Sequence, residues 1–337
     1  MRIYPVFIPH AGCPHRCLYC AQDRSTSQSV AADFKSVDNF LKKALPLKGD
    51  GEIAFYGGTF SLLPSIQQDQ YLTMAGRFVA FGQVAGVRIS TRPDALDDRC
   101  IVRLRAFGVT TVEIGCQSFS DSVLTAAGRG HTAADSLSAV RRCLNSGLHV
   151  GVQLMPGLPG GDAGEALQSL QQALDLKPSF VRIYPTVVIE GTELADLWKS
   201  GGYQAWTLDE TVDLCADMLR LCRQFEIPVI RLGLQADPQL EENFRAGPYH
   251  PAFGQLVRSR LWRRALGCAS LYGKQFCVNP HDLSDVMGHR NENRDWLKKI
   301  NPAVCVTADK AVERGFLRMS GQDVSFIELS AQGGHYD

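Results

Sequence analysis

The chain has 337 residues, 45% of them hydrophobic and 21% charged, and its 35 basic and 35 acidic side chains give a formal net charge of +0. This is ordinary globular composition, with enough chain for one large α/β barrel or two domains. The charge balance excludes a global pull toward nucleic acid and leaves room only for a local basic patch. No apolar run approaches a membrane span, and Met1 to Pro9 lacks the regions of a secretory signal, so a cytosolic protein with no membrane partner is expected.

Short β-branched or aromatic runs alternate with helical patterns along the first two thirds. Strands are expected at Ile3–Pro9, Glu52–Tyr56, Gly86–Ser90, Thr110–Gly115, Leu148–Met155, Phe180–Tyr184 and Pro228–Leu232. Between them, helical spacing runs through Asp38–Leu45, Ser65–Ala80, Asp97–Phe107, Asp121–Ala127, Thr132–Ser146, Asp162–Leu176, Thr192–Lys199 and Leu208–Phe225. Such alternation implies a parallel sheet with right-handed crossovers. The number of units suits a partial or full (β/α) TIM-like barrel, whose reactive groups sit on the loops at the C-terminal ends of the strands. After about Ala236 the pattern changes. Helices at Tyr249–Gly267 and Asn291–Ile300, then strands at Val304–Thr307, Gly315–Met319 and Val324–Leu329, suggest a small α+β extension. The expected division is a barrel over 1–236 and an extension over 237–337.

Eleven cysteines, an odd number in a cytosolic chain, do not suggest a disulfide framework. Three of them cluster in His10-Ala-Gly-Cys13-Pro-His-Arg-Cys17-Leu-Tyr-Cys20, directly after the first expected strand. Three close thiolates favour a soft metal or an iron–sulfur cluster. A closed zinc site and an electron-transfer cluster both want four ligands, and the next cysteine is Cys100. Three thiolates leave one iron of a 4Fe–4S cluster open for a substrate. The competing reading is zinc, with His10 or His15 as the fourth ligand.

The cysteine spacing, with Tyr19 before the last thiol, resembles the signature of the radical S-adenosylmethionine (SAM) superfamily. The resemblance implies that Cys13, Cys17 and Cys20 hold a 4Fe–4S cluster whose open iron chelates the amino and carboxylate groups of SAM. An electron from an external donor then breaks a carbon–sulfur bond and gives methionine and a 5′-deoxyadenosyl radical. The other strand ends match. Gly57-Gly58-Thr59 corresponds to the family's glycine motif at the SAM amino group, and paired glycines let a ligand approach closely, although a plain turn is the bland alternative. Arg92, in Ser90-Thr-Arg-Pro-Asp94, has a fork suited to a carboxylate or phosphate, against a simple proline turn. Gln117 and Ser118 follow the fourth strand and suit a ribose hydroxyl; Cys116 beside them reads as a small buried hydrophobe. Gln153 precedes the apolar loop Met155-Pro-Gly-Leu-Pro-Gly160, which suits an adenine face, and Tyr184 with Pro185 would line the same pocket. The candidate cofactor contacts are therefore Tyr19, Gly57, Gly58, Thr59, Arg92, Gln117, Gln153 and Tyr184.

The strings Tyr56-Gly-Gly-Thr-Phe-Ser61, Ser90–Asp94, Glu113-Ile-Gly-Cys-Gln-Ser118, Met155–Gly160 and Arg182-Ile-Tyr-Pro-Thr186 resemble the Elongator complex protein 3 branch, from about Val6 to about Gln235. In that branch a radical SAM barrel joined to an acetyltransferase domain modifies the wobble uridine of tRNA with acetyl-CoA as carbon donor. No Gly-rich acetyl-CoA turn is visible here, so the radical SAM portion is expected without that domain, and tRNA is a candidate partner only. Arg258, Arg260, Arg263 and Arg264 interleave with Leu261 and Trp262 on one expected helix. They read as a solvated face, with RNA contact as the alternative. Arg129 and His131 stay ambiguous. Cys215 and Cys222 have core spacing, and Cys268, Cys277 and His281 do not make a zinc finger pattern. Two other classes remain open: a radical SAM enzyme acting on a tetrapyrrole or small metabolite, and a non-catalytic iron–sulfur or RNA-binding module.

Overall fold

The computed structural model describes residues 2–14, 16–22 and 33–332. In chain order the elements are β1 (Ile3–Phe7), α1 (Phe34–Ala44), β2 (Glu52–Tyr56), α2 (Ser65–Ala80), β3 (Gly86–Thr91), α3 (Asp98–Ala106), β4 (Val109–Gln117), α4 (Asp121–Ala126), α5 (Ala133–Asn145), β5 (His149–Leu154), α6 (Ala163–Asp175) and β6 (Phe180–Ile183). There follow β7 (Val188–Ile189), α7 (Glu193–Lys199), α8 (Leu208–Gln224), β8 (Val229–Leu232), α9 (Pro238–Asn243), β9 (Phe244–Ala246) and α10 (Phe253–Ala269). The last are β10 (Gln275–Val278), α11 (Leu283–Met287), α12 (Glu292–Ile300), β11 (Cys305–Ala308), β12 (Phe316–Met319), β13 (Gln322–Ser325) and α13 (Phe326–Gln332).

The chain forms two compact units, one of 1–206, 227–231 and 235–247, the other of 207–226, 232–234 and 248–337. The first carries the expected barrel. Its parallel sheet has the order β1-β2-β3-β4-β5-β6-β8, an open, curled half barrel with β1 and β8 at the edges. Local chemistry sets the crossover helices. Asp33 caps α1 by accepting from the backbone of Lys35 and Ser36, and Thr132 with Asp135 forms a capping box at α5. The two sheet faces differ, and β4 shows how. Val112, Ile114 and Cys116 are fully buried on one face, while the alternate Thr111, Glu113 and Gln117 carry polar groups to the other. Burial pushes the Cys116 thiol up to about 12, which keeps it an uncharged core group, as expected.

On the polar face the strands share a buried ion network. Arg88 donates to Glu52 at 2.7 Å and to Glu113 at 2.7 Å, and Glu113 also accepts from Arg182 and, at 3.0 Å, from the Tyr56 hydroxyl. Thr111 adds a further donor to Glu52 at 2.5 Å. Gly151 stands opposite both Glu113 and Phe180, and a Cβ there would lie 2.1 Å from the Phe180 ring.

The second unit holds a four-stranded sheet in the order β11-β10-β12-β13, with β10 parallel to β11 and the other pairs antiparallel. Three of its features depart from the sequence reading. Strand β10 was not expected. Val324–Leu329 is not one strand: β13 ends at Ser325 and α13 begins, because Phe326 and Leu329 are buried together at helical spacing. Helix α8 belongs here rather than with the barrel. Its Asp209, Asp213 and Asp217, four residues apart on one face, pair with Arg260 and Arg264 of α10, the last pair at 2.8 and 2.9 Å. Arg258 pairs with Asp285 at 2.6 Å, and Arg263 lies over the Trp296 ring at 4.7 Å. The arginine-rich helix is therefore mostly neither a solvated face nor a free basic stripe.

Candidate cofactor site

The cysteine loop leaves β1 and is stitched to three neighbours through its backbone. His10 donates to the Gly57 carbonyl at 3.0 Å, and the Ala11 carbonyl accepts from Thr59 at 2.8 Å. Leu18 donates to Ala127 at 3.3 Å after α4 and accepts from Leu194 at 3.0 Å in α7. These contacts need glycine on both sides. A Cβ on Gly58 would lie 2.2 Å from the Ala11 carbonyl oxygen, and one on Gly12, at φ +74, would lie 2.3 Å from that of Thr59. Gly58 thus makes room first for the cysteine loop itself, a reason that ligand approach alone does not give, while a Cβ on Gly57, at φ +99, would meet the Phe7 ring of β1.

Cys17 is buried, and Cys13 and Cys20 are partly so. The Cys13 sulfur lies 3.3 Å from the Thr59 hydroxyl. Burial first, then the neighbouring charges of Cys17 and Cys13, push the Cys20 thiol up to about 12. A thiol raised in this way by burial and by two neighbouring sulfurs stays protonated unless a cation is present, which is the condition a metal cluster meets. Among the described residues no trio of His, Cys, Asp or Glu converges on a single ion. An iron–sulfur cube takes its thiolates at separate corners rather than on one ion. His15 lies outside the described residues, and the His10 backbone is tied to Gln22 at 2.7 Å.

The other expected contacts gather on the same strand ends, with one qualification. Gln117 occupies the left-handed region at φ 71, a costly conformation for a residue other than glycine, and accepts from Gln153 at 3.2 Å. Its carbonyl accepts from Met155, and Tyr184 donates from its backbone to Leu154, both within 2.9 Å. Arg182 stacks between the rings of Tyr56 and Tyr184, at 5.3 and 5.1 Å. Tyr19 is half-buried against Val123, Ala127 and Leu158 on one side and Val188 and Leu194 on the other. Arg92 is the qualified one: its fork grips Asp94 with two bonds of 2.9 Å, so it braces the β3 loop.

Sequence reasoning left Arg129 without a role. It is buried, donates to the Cys17 sulfur at 3.1 Å and to the Gly115 carbonyl at 2.6 Å, and lies against Tyr19. A buried guanidinium beside a cluster thiol is a ready partner for anionic groups. Sequence reasoning also missed the Glu52–Arg88–Glu113–Arg182 network. Its signal is present: a single charge within each of four largely apolar strands.

A partial parallel barrel with three thiols at the end of β1 and polar groups at the ends of β2 to β6 defines a class of cluster-bearing enzyme. The model for the radical SAM superfamily matches residues 7–173, and that for the Radical_SAM C-terminal domain matches 178–263. The tRNA uridine(34) acetyltransferase of Methanocaldococcus jannaschii is 38% identical over 129 residues, 37% of this chain and 24% of that protein. Elongator complex protein 3 of Mus musculus is 27% identical over 214 residues, covering 55% of this chain and 39% of the mouse protein. The chain thus spans less than half the length of these relatives. The solved structure of an N-terminally truncated Elp3 from the archaeon Methanocaldococcus infernus shares the fold with a TM-score of 0.60 and 24% identity, over 76% of this chain and 61% of that one. The chain belongs to the radical SAM superfamily, and the relatives it matches include Elongator complex protein 3 and tRNA uridine(34) acetyltransferases. It is an enzyme, and its cofactors are a 4Fe–4S cluster and SAM.

Proposed function

We propose that the chain cleaves SAM reductively and acts on tRNA, with Cys13, Cys17 and Cys20 holding the cluster. The observation that carries the reading is Arg129 buried against Cys17, a fixed positive charge beside the cluster loop. Arg129 is positioned to meet the carboxylate of SAM, as a charge-assisted partner. The backbone at Gly58 and Thr59 faces the amino group, Gln117 and Gln153 hold the ribose hydroxyls, and the Met155–Gly160 loop and Tyr184 enclose the adenine. When bound by Cys13, Cys17 and Cys20, the cluster, reduced by an external donor, would supply the one electron that breaks a carbon–sulfur bond of SAM. The surrounding apolar groups, Leu158, Val123 and Tyr19 among them, exclude water from this space. Support for tRNA as the substrate comes from the relatives named for acetyl transfer to uridine 34 of tRNA. The test is anaerobic reconstitution, then incubation with SAM and dithionite, with and without bulk tRNA. 5′-Deoxyadenosine should form, tRNA should raise its yield, and Cys17→Ala should lose both cluster absorbance and product. A fully loaded protein that yields no 5′-deoxyadenosine would refute the proposal.

A further inference from the structure

Within the second compact unit, α8, α10 and the turn before α12 enclose a cleft of about 340 Å³. Three guanidiniums line it, from Arg260, Arg263 and Arg290, against two carboxylates, from Asp209 and Glu292. Arg260 and Asp209 are committed to each other. Arg290 is not committed: it is exposed and has no ion pair among the described residues. It also sits at φ 51 and is followed by Asn291 at φ 65. Two successive non-glycine residues in the left-handed region store strain, and such strain collects at ligand-binding turns.

The polar groups around Arg290 include donors beside the Glu292 carboxylate. His250 accepts from the Ala252 backbone through Nδ1 at 3.0 Å, so its neutral ring carries the proton on Nε2. The His289 ring meets it edge-on, with centroids 5.1 Å apart. In the cleft wall Ser259 is 6% exposed, and its hydroxyl has no hydrogen-bond partner among the described residues. A buried hydroxyl left unpaired costs stability unless a ligand satisfies it. An uncommitted guanidinium, one unpaired hydroxyl and two half-buried imidazole rings together complement a phosphate carrying a flat base. The volume suits one such unit.

We propose that this cleft binds a single nucleoside phosphate, its phosphate on Arg290 and the Ser259 hydroxyl and its base against the histidine pair. Resting on the tRNA reading above, the expected source is one nucleotide of single-stranded RNA; a free nucleotide has the same chemistry. The test uses the full reconstituted chain. A short labelled single-stranded RNA is titrated by fluorescence anisotropy at two salt concentrations, and AMP is added as competitor. Arg290→Gln should weaken RNA binding about tenfold and lower the salt slope by about one. Ser259→Ala, which removes an unpaired group and so should keep or raise the melting temperature, should weaken it several-fold. AMP should displace the RNA, and SAM cleavage without RNA should match wild type in both variants. AMP binding that Arg290→Gln weakens, with no RNA binding, upholds the cleft and overturns the tRNA reading. Unchanged affinity in both variants for both probes, or RNA that AMP does not displace, overturns the cleft.

Discussion

Arg129 donates a hydrogen bond of 3.1 Å to the sulfur of Cys17, across 112 positions of sequence. Its other terminal nitrogen holds the Gly115 carbonyl at 2.6 Å, so β4 and the cysteine loop share one buried cation. Burial disfavours that charge, and the neighbouring Tyr19 and Cys17 outweigh the penalty and raise its pKa. A charge-assisted hydrogen bond contributes about 1.5–3 kcal/mol, equivalent to roughly 10- to 100-fold in affinity. Arg129→Gln should therefore weaken SAM binding by that factor while iron content and cluster absorbance persist. Equilibrium dialysis of SAM against the reconstituted variant measures it, and Arg129→Lys should restore part of the loss. Equal SAM affinity in wild type and Arg129→Gln would remove Arg129 from the pocket.

Gly58 and Gly76 make a matched pair for the next expectation. A Cβ at Gly58 meets the Ala11 carbonyl oxygen at 2.2 Å, whereas one at Gly76 in α2 meets nothing within 4 Å among the described residues. Gly58→Ala must push back the cysteine loop, an overpacking cost of about 1–3 kcal/mol, and iron incorporation should fall with it. Gly76→Ala should instead stabilise its helix by roughly 0.5–1 kcal/mol and leave iron loading unchanged. Iron assay after reconstitution, beside thermal melts, separates the two.

The Gly58 contact also shows what the sequence conceals. The order of strands and helices was readable because period and punctuation are local: Ile53 to Phe55 form a short buried run, and Thr132 with Asp135 announces a helix start. The cysteine trio was readable from spacing and family resemblance. What Gly58 faces was not, since Ala11 arrives from another loop. The same holds for Arg260 and Arg264. Their partners Asp213 and Asp217 lie on α8, 47 positions away in two of the bonds, so the basic stripe looked unpaired until the two helices met. Short apolar runs stayed ambiguous on local grounds, and the end of β13 at Ser325 went wrong for that reason.

Glu113 gathers Arg88, Arg182 and the Tyr56 hydroxyl on one buried carboxylate, only 2% exposed. Removing its charge leaves two guanidiniums facing each other without their shared counter-ion. Breaking a buried pair in this way costs about 3–5 kcal/mol. Glu113→Gln should lose stability on that scale in urea unfolding, read as a lower midpoint with an unchanged slope. A loss below 1 kcal/mol, the range of an exposed pair, would mean that water reaches the network.

Acid should destabilise the fold through His131. It is 5% exposed, and its Nε2 faces the Cys116 carbonyl at 3.2 Å. Burial first, then the charges of Arg129 and Arg92, push its pKa down to about 4 from the usual 6.5, with Asp94 acting weakly the other way. Between those two values the unfolded chain binds the proton and the folded one does not, so stability rises with pH across the window. Falling pH removes it, by on the order of 3 kcal/mol in full, at about 1.4 kcal/mol for each tenfold. Above the usual value both states are neutral at this ring and the contribution is flat. Urea unfolding of metal-free protein at pH 7 and pH 5, for wild type and His131→Asn, isolates the effect: the wild type should lose more stability between the two conditions than the variant. Parallel losses would show that the ring titrates freely in the folded state and that another group carries the acid sensitivity.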